Sequence, residues 1–230
     1  MCLILNIDTT STIASVSIAK NAAILFEEIN ADQKNHAAFL HTSIEKIISQ
    51  AAVRFKDLDA ISVNNGPGSY TGIRVGLASA KGLCYALNKP LILLNALELL
   101  TMSAIEEYPE SSLQNLLFCP MIDARRMEIF TAIYKADLEI ILTPCSHIIS
   151  EESFSSFLST NNVAFFGDGS SKFQQINNNP NARFIPVKMK TEIMSILSFK
   201  KFKNDDFSDI SYVEPIYIKD FFTTQNPINQ

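Results

Sequence analysis

The chain has 230 residues, 47% of them apolar, which is enough for a buried core and too apolar for a disordered chain. Its 24 acids and 19 bases leave a net charge of −5, the wrong sign for a protein that grips nucleic acid unaided, because phosphate neutralisation supplies most of that affinity. No apolar run approaches the roughly 18 residues of a membrane span, the start has no basic segment or cleavage site, and the four cysteines form no Cys-x-x-Cys pair, so the composition reads as a soluble cytoplasmic protein with free thiols.

Residues 3–8 form an apolar run that ends at Asp8. Residues 12–19 alternate apolar and polar, and 23–29 are again largely apolar, with short polar breaks between. Three strands joined by tight turns follow from that pattern. From Gln33 to Val53 the period changes: Leu40, Ile44, Ile47, Ile48 and Ala51 fall on one helical face. A strand over 58–63 stops at Asn64-Asn65-Gly66-Pro67-Gly68, a turn signal. Thr71–Asn88 reads as a helix with Pro90 beyond its end, then come a short buried strand at 91–94 and a helix at 96–106. The order β-β-β-α-β-α-β-α describes half of an actin-like fold.

Residues 107–115 read as a break, giving an N-terminal lobe over 1–106 and a degenerate C-terminal lobe over 107–230. The second lobe is a worn copy of the first. Strands are predicted at 116–122, 127–135 and 138–143, then a helix at 151–159, a strand at 163–167, a helix at 170–176 and a helical stretch at 189–203 before a mixed tail. The fold class is therefore α/β, with two lobes of mixed sheet flanked by helices.

Five of the seven glycines lie between 66 and 82. Gly72, Gly76 and Ala80 recur every fourth residue and make a small-residue stripe on the helix that follows the Gly66-Pro67-Gly68 turn. Such a stripe serves either internal helix–sheet packing or close approach of another subunit. Backbone N–H groups at this helix start suit an anion, but the Walker pattern is absent, so a P-loop is not expected. Asp8, Thr9 and Thr10 fit either a relic nucleotide-phosphate turn or, more plainly, a tight hairpin whose hydroxyls satisfy turn amides. His36 and His41 are five residues apart, on different helix faces, and His147 is isolated, so none suggests a metal ligand. No Gly-x-Ser-x-Gly elbow occurs. Between 183 and 203, six cations stand against the single acid Glu192; a solvated helix face is the ordinary reading and a minor contact with a nucleic-acid backbone the sharper one.

The segment Gly66-Pro67-Gly68-Ser69-Tyr70-Thr71-Gly72-Ile73-Arg74-Val75-Gly76-Leu77-Ala78-Ser79-Ala80-Lys81-Gly82-Leu83 resembles the signature of the TsaB/TsaD family, once called glycoproteases. Asp8-Thr9-Thr10-Ser11, Asn35-His36, Ile122-Asp123-Ala124-Arg125-Arg126, Gly167-Asp168-Gly169 and Pro215-Ile216-Tyr217-Ile218-Lys219 are similar to further family segments. The likeness covers essentially the whole chain. It implies an actin-like (ASKHA, ribonuclease H-like) fold on the TsaB, or YeaZ, side of the family. TsaD carries a His-x-x-x-His metal pair on the helix after the short strand; here Ala96 and Leu100 hold those positions, and neither side chain donates an electron pair to a metal.

The resemblance thus implies a non-catalytic dimerisation and activating subunit with no cofactor of its own, ATP and metal belonging to partner subunits. TsaD would be its partner and TsaE would join as an ATPase. The assembly would transfer a threonylcarbamoyl group to the adenosine beside the anticodon, so tRNA would be met through the complex. The expected partner face comprises His36, Leu40, Ile44, Ile47, Gly72, Ile73, Gly76 and Ala80 on two helices, and the same patch suits a homodimer. The competing readings are a metalloprotease and an actin-like small-molecule kinase; the apolar Ala96 and Leu100 weigh against the first and the missing phosphate loops against the second.

Overall fold

A computed structural model describes residues 2–31, 36–108 and 115–218. Lys219, the Gln33–Asn35 start of the first predicted helix and the His36 side chain lie outside the described residues. The first half runs β1 (Leu3–Asp8), β2 (Ala14–Lys20), β3 (Ala23–Asn30), α1 (His36–Gln50), β4 (Ala60–Asn64), α2 (Tyr70–Leu87), β5 (Leu91–Leu94) and α3 (Ala96–Ile105). The second runs β6 (Leu116–Asp123), β7 (Glu128–Tyr134), β8 (Ile140–Ile148), α4 (Ser155–Leu158), β9 (Asn162–Phe166), α5 (Ser170–Gln174), β10 (Ala182–Phe184) and α6 (Thr191–Lys203).

Two five-stranded sheets result, ordered β3-β2-β1-β4-β5 and β10-β9-β6-β7-β8. Read from β8, the second order repeats the first strand for strand. In each sheet a three-strand antiparallel meander continues into parallel strands. β1 is buried along its whole length, as a central strand covered on both faces requires.

Capping explains the helix limits. Ser69 accepts the Gly72 N–H at the start of α2, and Asn88, left-handed at φ 51°, closes it. Asn95 accepts the N–H groups of Leu97 and Glu98 at the start of α3. On one face of the first sheet, Leu40, Ile44 and Ile47 of α1 join Leu77, Ala80 and Cys84 of α2 over β1, β2 and β4. Full burial of each such aliphatic side chain contributes about 1.5–3 kcal/mol.

The sheets divide between residues 105 and 116, but the cores interlock. α6, from the second half, packs on β5, β1, β3 and β2 of the first sheet, whereas α3 packs on β6 and β7 of the second. Leu99 faces Ile193, Met194 and Leu197 of α6 in one cluster, while Leu97, Leu100 and Ala104 join Phe118 and Phe166 in another.

Three second-half elements differ from the sequence reading. β8 continues to Ile148 through Pro144, which an edge strand tolerates because the missing N–H faces no neighbour. α4 shrinks to four residues, opening on a left-handed Phe154. β10 has three residues, too few for a periodic signal, and is held by parallel pairing to β9.

All four cysteines are free thiols; Cys2, Cys84 and Cys119 are buried and Cys145 is half-buried. Burial pushes the Cys84 and Cys119 thiols up to about 12 and the Cys2 thiol up to about 11. A thiol-disulfide reagent at neutral pH should therefore label Cys145 first in the native chain and reach all four only after denaturation. Fast native labelling of Cys119 would contradict this packing.

Candidate functional site

The glycine-rich segment has a specific use inside the chain. β1 and β2 are joined by the turn after Asp8, and this turn sits directly on the first two turns of α2. A Cβ added at Gly72 would overlap the Thr9 carbonyl oxygen, one at Gly76 the Thr9 hydroxyl, and one at Gly68 the Thr10 carbonyl, each closer than the 3.0 Å that real Cβ atoms respect. Thr9 Oγ1 donates to the Gly72 carbonyl at 2.6 Å, and the Ser69 N–H donates to the Thr10 carbonyl at 2.6 Å. Gly66 takes φ 96°, the left-handed region that favours glycine, as β4 turns into α2.

Asn64 ties the turn to the sheet. Its side-chain amide donates to Asp8 Oδ2 at 3.1 Å and Thr10 Oγ1 at 3.0 Å, and its carbonyl accepts the Gly66 N–H at 3.1 Å. Thr10 donates both its N–H and its hydroxyl to Asp8 Oδ1. Asp8, Thr9 and Thr10 are all buried, and the donors of Thr10 are spent within the turn rather than aimed at a ligand. Sequence reading passed over the role of Asn64; its place just before Gly66-Pro67-Gly68 was the available signal.

The other face of this turn lines a cavity of about 280 Å³ between the lobes. Asp8, Thr10, Ile13 and Pro67 line it from the first lobe, Ile122 and Asp168 from the second, and Val187, Met189 and Met194 from α6 and its approach. Its walls are mostly apolar. Leu100 also lines it, 5% exposed and packed in the α3 core, and Ala96 is fully buried. Burial pushes the nearby Glu98 carboxyl above its usual range, with the Lys201 and Lys200 cations pulling the other way. Among the described residues no cluster of three His, Cys, Asp or Glu side chains has metal-binding geometry. His41 lies on α1 beside Ser79, and His147 sits on β8 against Ser153 and Phe154.

The expected partner face needs correction. Leu40, Ile44, Ile47, Gly72, Ile73, Gly76 and Ala80 are all buried in the first lobe, against the chain's own sheet and turn. They are the inward sides of α1 and α2, because an amphipathic helix spends its apolar stripe on the nearest sheet before any partner. What α2 presents to solvent includes a second small-residue row between the exposed Arg74 and Tyr85: Ala78 and Gly82 are exposed, Ser79 is half-buried, and a Cβ at Gly82 would meet nothing within 4 Å. His41 Nε2 lies 3.4 Å from Ser79 Oγ, so the outer faces of α1 and α2 form one surface.

The basic segment is partly neutralised by acids outside it. Lys201 pairs with Asp206 at 2.8 Å, and Lys190 sits 3.4 Å from Glu107 and 3.9 Å from Glu106.

A family model described as TsaD, tRNA N6-adenosine threonylcarbamoyltransferase, matches residues 24–212. The chain belongs to this family. Within the TsaD family it is similar to the tRNA threonylcarbamoyladenosine biosynthesis protein TsaB of Bacillus subtilis (strain 168), 30% identical over 132 residues, which is 57% of this chain and 55% of that protein. A tRNA N6-adenosine threonylcarbamoyltransferase of Clostridium kluyveri is 45% identical over 65 residues, 28% of this chain and 19% of that protein. The TsaB match spans about half the length of the relative. Among solved structures, YeaZ from Pseudomonas aeruginosa superposes with a TM-score of 0.73 at 20% identity, covering 94% of this chain and all of that one. A second Pseudomonas aeruginosa structure, described as similar to the peptidase YEAZ, gives a TM-score of 0.77 at 19% identity and covers 95% of this chain. These two structures share the fold of this chain, with its two five-stranded sheets. Among the described residues, no helix is long and apolar enough to cross a membrane.

Proposed function

We propose that this chain is a supporting, non-catalytic subunit of an assembly that forms threonylcarbamoyladenosine in tRNA, holding a TsaD-type catalytic subunit in its active shape. The observation that carries this reading is the start of α3. The helix keeps the Asn95 cap and Glu98, but the two positions that would bind metal are Ala96 and Leu100, both packed into apolar core. No rotamer change turns either into a ligand. The names of the relatives, TsaB and the threonylcarbamoyltransferase itself, support the same pathway step.

The docking surface in this reading is the outer side of α1 and α2. Small side chains at Ala78, Ser79 and Gly82 let a partner helix approach closely, and two helices from each of two related subunits pack as a four-helix bundle. A second copy of this chain competes for the same surface. ATP and metal are supplied by the partners, with TsaE as the ATPase.

The test is threonylcarbamoyl transfer to tRNA with purified TsaD and TsaE, with and without this chain. The expected result is no transfer by this chain alone and transfer restored when all three are combined. Full-rate transfer by TsaD and TsaE in its absence would overturn the supporting role.

A further inference from the structure

We infer that the tip of the β6–β7 hairpin is a docking contact for the phosphodiester backbone of RNA, made by the guanidinium groups of Arg125 and Arg126; this rests on the supporting-subunit reading above. β6 ends at Asp123 and β7 begins at Glu128. The loop is closed by the Ala124 N–H donating to the Glu128 carbonyl and the Glu128 N–H donating to the Arg125 carbonyl, both at 3.1 Å. Arg125 has φ 73° and Arg126 has φ 50°. Two consecutive residues therefore sit in the left-handed region, which glycine, asparagine and aspartate fill most easily and long side chains enter at a cost.

The β2–β3 turn, also left-handed twice at Asn21 and Ala22, is held in a similar way: the Asn21 side chain accepts the Cys2 N–H at 2.8 Å. At the β6–β7 tip the Asp123 carboxylate accepts the Arg125 backbone N–H at 2.5 Å, so the turn is held without either arginine side chain. Both are exposed, and neither makes an ion pair or a side-chain hydrogen bond among the described residues. Two guanidinium groups that take no part in holding their own turn are left for an outside ligand.

The root of the hairpin is braced in a way that leaves those charges unspent. Lys172 Nζ donates to Asp123 Oδ1 at 2.6 Å and to the Glu128 carbonyl at 3.2 Å, and Asp168 accepts the Asp123 N–H at 2.9 Å. Asp123 Oδ1 thus takes Lys172 Nζ and the Arg125 backbone N–H rather than either guanidinium. Some other cations of this acidic chain are paired, as Lys46 is with Glu28 and Lys135 with Glu139. Two adjacent, unpaired guanidinium groups on a stiff hairpin match the fork geometry of phosphate oxygens. They supply two contacts, not a whole binding site, which suits a chain of net charge −5 that meets RNA alongside a partner.

The variant that tests this is Arg125→Asn with Arg126→Gly. Both replacements favour the left-handed region, so they remove the charges while easing the backbone. Binding of a tRNA transcript to the complex of this chain with TsaD and TsaE is measured by fluorescence anisotropy over a salt series. The double variant should keep or raise the melting temperature and keep its elution with TsaD. Its log affinity against log salt should flatten by about 1.4–1.8, which is about 25- to 60-fold weaker binding near 0.1 M salt. Arg125→Lys with Arg126→Lys should keep most of the slope, because the charge remains.

An unchanged slope in the double variant, while the wild-type chain supports transfer, overturns the hairpin contact alone. Loss of TsaD elution with the tRNA slope preserved means that the arginines meet an acidic protein surface, and overturns the RNA assignment. A wild-type chain that neither joins TsaD nor raises transfer overturns the supporting reading and this contact with it.

Discussion

Gly72→Ala is expected to lower the melting temperature of the chain by roughly 6–12 °C, although alanine is the better helix former. The added Cβ overlaps the Thr9 carbonyl oxygen, a backbone atom fixed by the end of β1. Overpacking at such a site costs about 3 kcal/mol. The hydrogen bond from Thr9 Oγ1 to the Gly72 carbonyl is disturbed as well, at about 1 kcal/mol. The helix-propensity gain returns about 1 kcal/mol, leaving a net loss near 3 kcal/mol. For a chain of this size each kcal/mol moves the midpoint by about 2–4 °C. Gly82→Ala, in the same helix, is the control: its Cβ meets nothing within 4 Å, so propensity alone acts and the midpoint should rise by about 2–4 °C. Calorimetry of both variants checks the pair. Equal shifts for the two would mean that the turn of Thr9 and Thr10 does not rest on α2 as described.

Gly82→Arg should leave the chain folded and weaken capture of TsaD by about 30-fold or more. Gly82 faces solvent between Ala78 and Tyr85, in a row that permits close helix approach. An arginine there holds a partner helix off and places a charge where a packed interface centre excludes one. Losses at such central positions are typically about 2 kcal/mol or more, which converts to the 30-fold stated. Titration calorimetry against purified TsaD, with circular dichroism on the variant, separates loss of binding from loss of fold. A folded variant with unchanged affinity would remove the outer face of α2 from the partner surface. Gly76→Leu would not test docking, because a side chain there strikes Thr9 and disrupts the packing of the turn on α2 first.

Much of the architecture was legible from periodicity. The β-β-β-α-β-α-β-α order of the first half follows from alternation at 12–19, from the helical spacing of Leu40, Ile44 and Ile47, and from the turn at Asn64–Gly68. Each is a local rule that the tertiary structure did not override. The second half was less legible where elements are short or at an edge: β10 has three residues, and Pro144 looks like a strand end although the edge strand β8 runs through it. The identity of the Ala96 and Leu100 positions was also legible, since an apolar side chain lacks a metal ligand wherever it points.

The direction of the small-residue stripe was not. A repeat of Gly72, Gly76 and Ala80 says that something comes close to one face of α2, and it says so identically for a partner helix and for the chain's own backbone. Sequence spacing fixes which residues share a face; it does not fix what the face meets. That was decided by a contact across sixty-three residues, Thr9 to Gly72, which closes only when β1 and β4 pair in the sheet. The same holds for α6. Its basic residues and apolar positions are plain in the sequence, but its place on the first sheet rather than the second depends on the crossing of α3 and α6 between the lobes. The sequence by itself determined most of the elements and the fold class, because these depend on side-chain chemistry and local geometry. The tertiary structure alone decided which helix faces remain for a partner, because burial is a property of the assembled sheet and not of any one segment.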